Sequence, residues 1–184
     1  FPSKNLGCYG DGGAIFTNKK KIYHKLISIR AHGQIKKYYH KYIGINGRLD
    51  TIQAAILSEK LKLFKSEIAL RNQKAELYKK ELEKIKDIQI PFIEKYNKSV
   101  YAQYCILVKK RDDLKKFLSE NNIPTAIYYP KLLNKQPALY TKSKFNKASK
   151  IAKNILAIPF SPYISNNEIK LVSSKIQEFY EIQN

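Results

Sequence analysis

A primary amine near the start of the chain is the first group that could do covalent chemistry. Lys4 lies in Phe1-Pro2-Ser3-Lys4-Asn5-Leu6-Gly7-Cys8, with further glycines at Gly10, Gly12 and Gly13. A lysine adds to a carbonyl only when deprotonated, a state favoured by desolvation or by neighbouring positive charge. Glycines permit tight turns and close backbone approach, so such a loop can bring an amine against a ligand. Against this stands the abundance of lysine in the chain, most of which must be solvated surface. A second polar group is Gly44-Ile45-Asn46-Gly47-Arg48. An amide such as Asn46 can donate to a phosphate, and a guanidinium such as Arg48 can pair with a carboxylate or diphosphate. Equally, Asn46 suits a turn and Arg48 an ion pair with Asp50. Tyr128, Tyr129 and Gln136 form a third group, open to ligand contact or to packing in a chain with 14 tyrosines.

Other reactive side chains point away from metals and disulfides. His24 and His32 fall two turns apart on one expected helix, and no carboxylates join them or His40, which is not metal-ligand spacing. His32 is expected to shape the end of that helix. Cys8 and Cys105 are distant and form no C-x-x-C pair, which fits a reducing, cytoplasmic setting. The net charge of +20 has two readings. It suits a binder of nucleic acid or an acidic surface, or it reflects a lysine-, isoleucine- and asparagine-rich composition. The lysines are scattered and no nucleic-acid motif accompanies them, which favours composition and no specific nucleic-acid partner.

The elements that must position these groups follow from periodicity. Gly13-Ala14-Ile15-Phe16-Thr17 reads as a buried strand. Ile22, Tyr23, Leu26, Ile27 and Ile29 recur at helical spacing over 19–32, with Gly33 as the stop. Residues 34–48 read as an aromatic-rich loop. Asp50 or Thr51 opens a helix carrying Ile52, Ala55, Ile56, Leu61 and Phe64, and a second helix is expected over about 66–86. Strands are expected at 88–93, 100–108 and 124–128, with helices at 111–121, 146–156 and 166–181. Hydrophobic residues make up 43% of the 184-residue chain, enough for a core. No run approaches the ~18 apolar residues of a membrane span, and no signal peptide is visible at Phe1. The chain lacks methionine, and a fragment is the expectation.

Four blocks, in order, resemble the DegT/StrS family of nucleotide-sugar aminotransferases: FPSKNLGCYGDGGAIFTN, HGQIKKYYHKYIGINGRLDTIQAAIL, AIYYPKLLNKQPAL and AIPFSPYISNNEI. The resemblance implies an α/β protein of fold type I, with residues 1–68 the C-terminal part of a large cofactor-binding domain and residues 69–184 a linker helix and small α+β domain. It implies pyridoxal 5'-phosphate as cofactor, bonded covalently to Lys4, which would also move protons once freed. Relatives with histidine at this position are dehydratases, so lysine favours amino transfer. Asn46 would reach the cofactor phosphate of a neighbouring subunit in a homodimer, and Arg48 an anionic sugar. Tyr128, Tyr129 and Gln136 would lie on the substrate side, although Tyr128 stands where histidine is usual and Leu132 where proline is common.

Details in EIALRNQ (67–73), SVYAQY (99–104) and LNKQPA (133–138) resemble enzymes that aminate UDP-2-acetamido-2-deoxy-3-oxo-glucuronate with glutamate as donor, for surface polysaccharides such as O-antigen. A 3-keto or 4-keto deoxy sugar on UDP or dTDP is the alternative substrate, and a basic non-catalytic binding module the alternative class. In the family, the ring-stacking aromatic, the acid at the pyridine nitrogen and the phosphate serine precede the lysine loop. The truncated chain alone is therefore expected to be inactive.

Overall fold

The computed structural model describes residues 1–182 and contains the elements α1 (Lys20–Arg30), β1 (Gln34–Lys36), β2 (Tyr39–His40), α2 (Thr51–Leu82), β3 (Ile88–Gln89), β4 (Tyr104–Val108), α3 (Arg111–Glu120), α4 (Asn146–Asn154), β5 (Ile155–Ile158) and α5 (Asn166–Ile182). Its backbone contacts gather into two compact units, 1–64 and 65–184. The mixture of helix and sheet is that of the α/β fold type I class.

Within the first unit, α1 is followed by the β1–β2 hairpin, in which Gln34 faces His40. Residues 34–48, expected as plain loop, thus contain a short antiparallel pair. The expected buried strand at 13–17 has no ladder partner among the described residues, and Gly13, Ala14, Ile15 and Phe16 are exposed. Strand hydrogen bonds are made to a neighbour, so sequence alone cannot complete one. Cys8 is the sole buried hydrophobic side chain among the described residues of this unit, while Phe16 (92% exposed) and Ile43 (101%) face solvent.

A single 32-residue helix, α2, replaces the two expected there. Neither glycine nor proline occurs between Thr51 and Leu82, so nothing forces a break. The shift in apolar pattern near Phe64 marks the passage from one unit to the other.

In the second unit β4 lies between β3 and β5, all antiparallel, with Tyr104 opposite Ile158 and Ile106 opposite Leu156. Alternation puts Tyr104, Ile106 and Val108 in the core and leaves Cys105 and Leu107 half-buried on the other face. Against the core face pack Tyr78 and Leu82 of α2, Leu114 and Leu118 of α3, and Ile169, Val172 and Ile176 of α5. Tyr78 and Tyr104 stack at 5.1 Å, and Phe160 lies 5.6 Å from Tyr104. Such aromatic pairs contribute about 0.5–1.5 kcal/mol each beyond area burial. Their hydroxyls need partners when buried: Tyr78 Oη donates to Pro159 O and Tyr180 Oη to Lys109 O, both at 2.8 Å. Burial pushes the pKa of all three tyrosines, 78, 104 and 180, well above the ordinary phenol value.

The expected strands at 88–93 and 100–108 shorten to β3 and β4. The one at 124–128 shrinks to an isolated bridge between Ala126 and Ala157. Helices α3, α4 and α5 lie close to their expected places. Among the described residues no helix is long and apolar enough to cross a membrane.

Candidate active site

The lysine loop is folded on itself by glycine. Lys4 N donates to Phe1 O at 3.1 Å, closing a turn. Gly7 sits at φ +60°, and a Cβ there would come within 3.1 Å of both Lys4 O and Pro2 O. Only glycine takes this conformation at no cost. Beyond the turn, the buried Cys8 thiol donates to Gln53 Oε1 on α2, and a Cβ on Gly10 would meet the Gln53 amide nitrogen at 2.9 Å. The loop backbone is thus tied to a helix, whereas the Lys4 side chain is exposed. The loop is thus pinned at its base while the Lys4 side chain extends away from it.

Asn46 and Arg48 are placed by backbone hydrogen bonds to the end of α1. Ile45 N donates to Ile29 O and Gly47 N to Arg30 O, each at 2.8 Å, and His32 N donates to Ile45 O at 2.9 Å. Asn46 bridges Ala31 in antiparallel fashion. Gly33 and Gly44 let two backbone segments cross: a Cβ on Gly33 would lie 1.7 Å from Tyr42 O, and one on Gly44 would lie 2.0 Å from Gly33 N. His32 falls just beyond α1, at φ 61°, so it does not share the helix with His24. It helps end that helix, as expected, and its carbonyl contacts His40 Nδ1 at 2.9 Å. Asn46 and Arg48 both expose their side chains. Among the described residues no ion pair joins Arg48 to Asp50, so the guanidinium is not spent in the manner the local sequence allowed.

The remaining candidates belong to the second unit. Tyr128 and Tyr129 are joined by a cis peptide bond, their rings edge to face at 5.5 Å. Gln136 is half-buried between two short 3-10 turns, its N–H donating to Leu133 O and its carbonyl accepting from Leu139 N, each at 3.0 Å. The neutral tyrosine pair offers hydroxyls and ring faces, without the positive charge a histidine could carry.

Sequence reasoning missed Gln53, which anchors the loop carrying Lys4. It also missed Arg71, whose guanidinium donates to Tyr101 O at 2.9 Å and lies 5.8 Å over the Phe160 ring. Burial lowers the Arg71 pKa, and the charges of Glu67 and Tyr163 oppose that shift. Neither residue carries a local signal, because each acts on a segment distant in sequence.

Comparison with known proteins identifies the family. Residues 1–177 match the DegT/DnrJ/EryC1/StrS aminotransferase family, whose aminotransferases are pyridoxal-phosphate-dependent. The UDP-2-acetamido-2-deoxy-3-oxo-D-glucuronate aminotransferase of Pseudomonas aeruginosa is 45% identical over 177 residues, 96% of this chain and 49% of that protein. A DegT DnrJ EryC1 StrS aminotransferase from Brucella abortus superposes with a TM-score of 0.89 at 37% identity, over 97% of this chain and 49% of its own. NtdA from Bacillus subtilis, solved with bound cofactor PMP, gives 0.82 at 25% identity, over 96% and 44%. The chain spans about half the length of the curated relatives it matches. With a match running from the lysine loop through most of α5, the chain belongs to the DegT/DnrJ/EryC1/StrS aminotransferase family.

Proposed function

We propose that this chain is the C-terminal half of a cytoplasmic, homodimeric aminotransferase that moves an amino group from glutamate to UDP-2-acetamido-2-deoxy-3-oxo-glucuronate, toward a surface polysaccharide such as O-antigen. The observation that carries the reading is Lys4 itself: an exposed amine on a loop whose backbone is held by Gly7 and by the Cys8–Gln53 contact. The 45% identity to the Pseudomonas enzyme supports the choice of sugar. In this reading residues 1–68 complete a large cofactor domain and residues 69–184 form the linker helix and small domain.

When bound, pyridoxal phosphate supplies an aldehyde and a ring that withdraws electrons. The chain's own residues fit that group. Lys4 Nζ would hold the aldehyde carbon and, once freed by a substrate amine, would take and return the substrate proton. The Asn46 amide would donate to the cofactor phosphate across the dimer. Arg48 answers the sugar carboxylate or the diphosphate with paired hydrogen bonds. Tyr128, Tyr129 and Gln136 contact the sugar nucleotide with neutral donors.

Borohydride reduction of the full-length polypeptide in the presence of pyridoxal phosphate should leave a mass label on the peptide containing Lys4. Lys4→Ala should abolish both that label and the cofactor's visible absorbance band. A label on another lysine, or a band that survives the substitution, would sink the assignment. Turnover of the uronate but not of neutral 3-keto and 4-keto sugars tests the substrate.

A further inference from the structure

The side of the β3–β4–β5 sheet turned from the core carries a cavity of about 430 Å³. That volume is within the range of about 300–1,000 Å³ occupied by small-molecule sites. Its apolar part includes Leu107, from the outer face of β4, and Ile151 of α4, with the amides of Gln89 and Asn154 beside them. None of Lys4, Asn46, Arg48, Tyr128, Tyr129 or Gln136 lines it, so the inference does not depend on the function proposed above.

The helix over this cavity is unusual. A helix laid on a sheet ordinarily buries an apolar stripe. In α4 no residue is buried. Lys147, Lys150, Ile151 and Asn154 line the cavity, and their spacing puts them on one helical face. Backbone contacts hold α4 in place: the nearly buried Arg111 guanidinium donates to Ala152 O and Ile155 O at 3.4 and 3.3 Å. The helix therefore does not need that face for packing, and the face is cationic.

The charge there is unbalanced. Lys86 and Lys109 join Lys147 and Lys150 in the lining, where Asp87 is the one acid. Asp87 is already paired with Lys109. Between Glu120 and Glu168 the chain carries seven lysines and no acidic residue. Several ammonium groups around an apolar floor repel one another until an anion joins them. The complementary ligand has an apolar face, hydrogen-bonding groups for Gln89 and Asn154, and more than one negative charge.

We propose that this cavity binds a nucleoside diphosphate, its base over Leu107 and Ile151 and its phosphates among Lys86, Lys147 and Lys150. Lysine is a common phosphate ligand as a point charge, and the Gln89 and Asn154 amides can meet the base or ribose. The test is lysine acetylation of the full-length protein, read by mass spectrometry with and without UDP. UDP should reduce labelling of Lys86, Lys147 and Lys150 severalfold while leaving Lys115 and Lys170, on α3 and α5, unchanged. Uridine and pyrophosphate should each protect much less. Unchanged labelling would overturn the proposal, as would pyrophosphate protecting as well as UDP, since the apolar floor would then take no part. In a Lys147→Glu/Lys150→Glu variant, UDP should no longer protect Lys86. Protection that persists there would also overturn it.

Discussion

At the residue scale, the candidate site depends on glycines more than on the reactive groups themselves. Gly33 is the sharpest case, with φ +74° and the Tyr42 carbonyl where a side chain would go. Gly33→Ala should destabilise the protein by more than about 1 kcal/mol, because the native conformation is closed to alanine. The shift in urea midpoint measures this, with displacement of Asn46 and Arg48 as the local consequence. A midpoint equal to wild type would show that the crossing at Gly33 relaxes freely. The proposed roles of Lys4, Asn46 and Arg48 rest on reactive types in glycine-rich settings together with the family resemblance. That Arg48 would lack Asp50 as partner was not legible in sequence, since local spacing allowed the pair. Gln53 was hidden because its role is a contact with Cys8 across 45 positions, and no periodicity encodes such a contact.

At the scale of elements, helix ends give the most direct test. Ahead of α5, Ser165 N donates to Glu168 Oε2 at 2.7 Å and Glu168 N donates to Ser165 Oγ at 3.1 Å, a reciprocal capping box. Ser165→Ala should cost about 1 kcal/mol of stability, the usual loss of an N-cap, read by chemical denaturation. The hydrogen bonds from Ser165 hold the Glu168 carboxyl below its ordinary pKa. A depressed carboxyl favours the folded state above the unfolded carboxylate pKa, and this contribution disappears as pH falls through the folded value. The gap between wild type and Ser165→Ala should therefore narrow under acid. An equal gap at pH 7 and at low pH would show that the Glu168 carboxylate takes no part in the loss. Helix periodicity located α1, α3, α4 and α5 well because each carries its own signal. The strands were less legible: β3 keeps two residues of an expected six, and the expected strand at 13–17 has no partner among those described. The extra break expected near Phe64 confused a change of neighbours with a change of conformation.

At the scale of the whole molecule, a net charge of +20 coexists with apolar side chains left in water. Tyr9, Ile15, Phe16, Ile43 and Ile52 of the first unit are all more than two-thirds exposed, more than scattered surface hydrophobics ordinarily explain. In colloidal terms, each particle bears adhesive side chains under a long-range repulsive cloud. The repulsion reaches about 30 Å at 0.01 M salt and about 3 Å at 1 M, whereas the adhesion is short-ranged and indifferent to dilute electrolyte. Copies of this 184-residue chain should therefore stay dispersed at low ionic strength and cluster as sodium chloride is added. Light scattering against salt concentration tests this, and clustering greatest at the lowest salt would contradict it. Glutamate at positions 15 and 16 should blunt the response. Ionic strength would then be a direct control on the shelf life of the isolated chain.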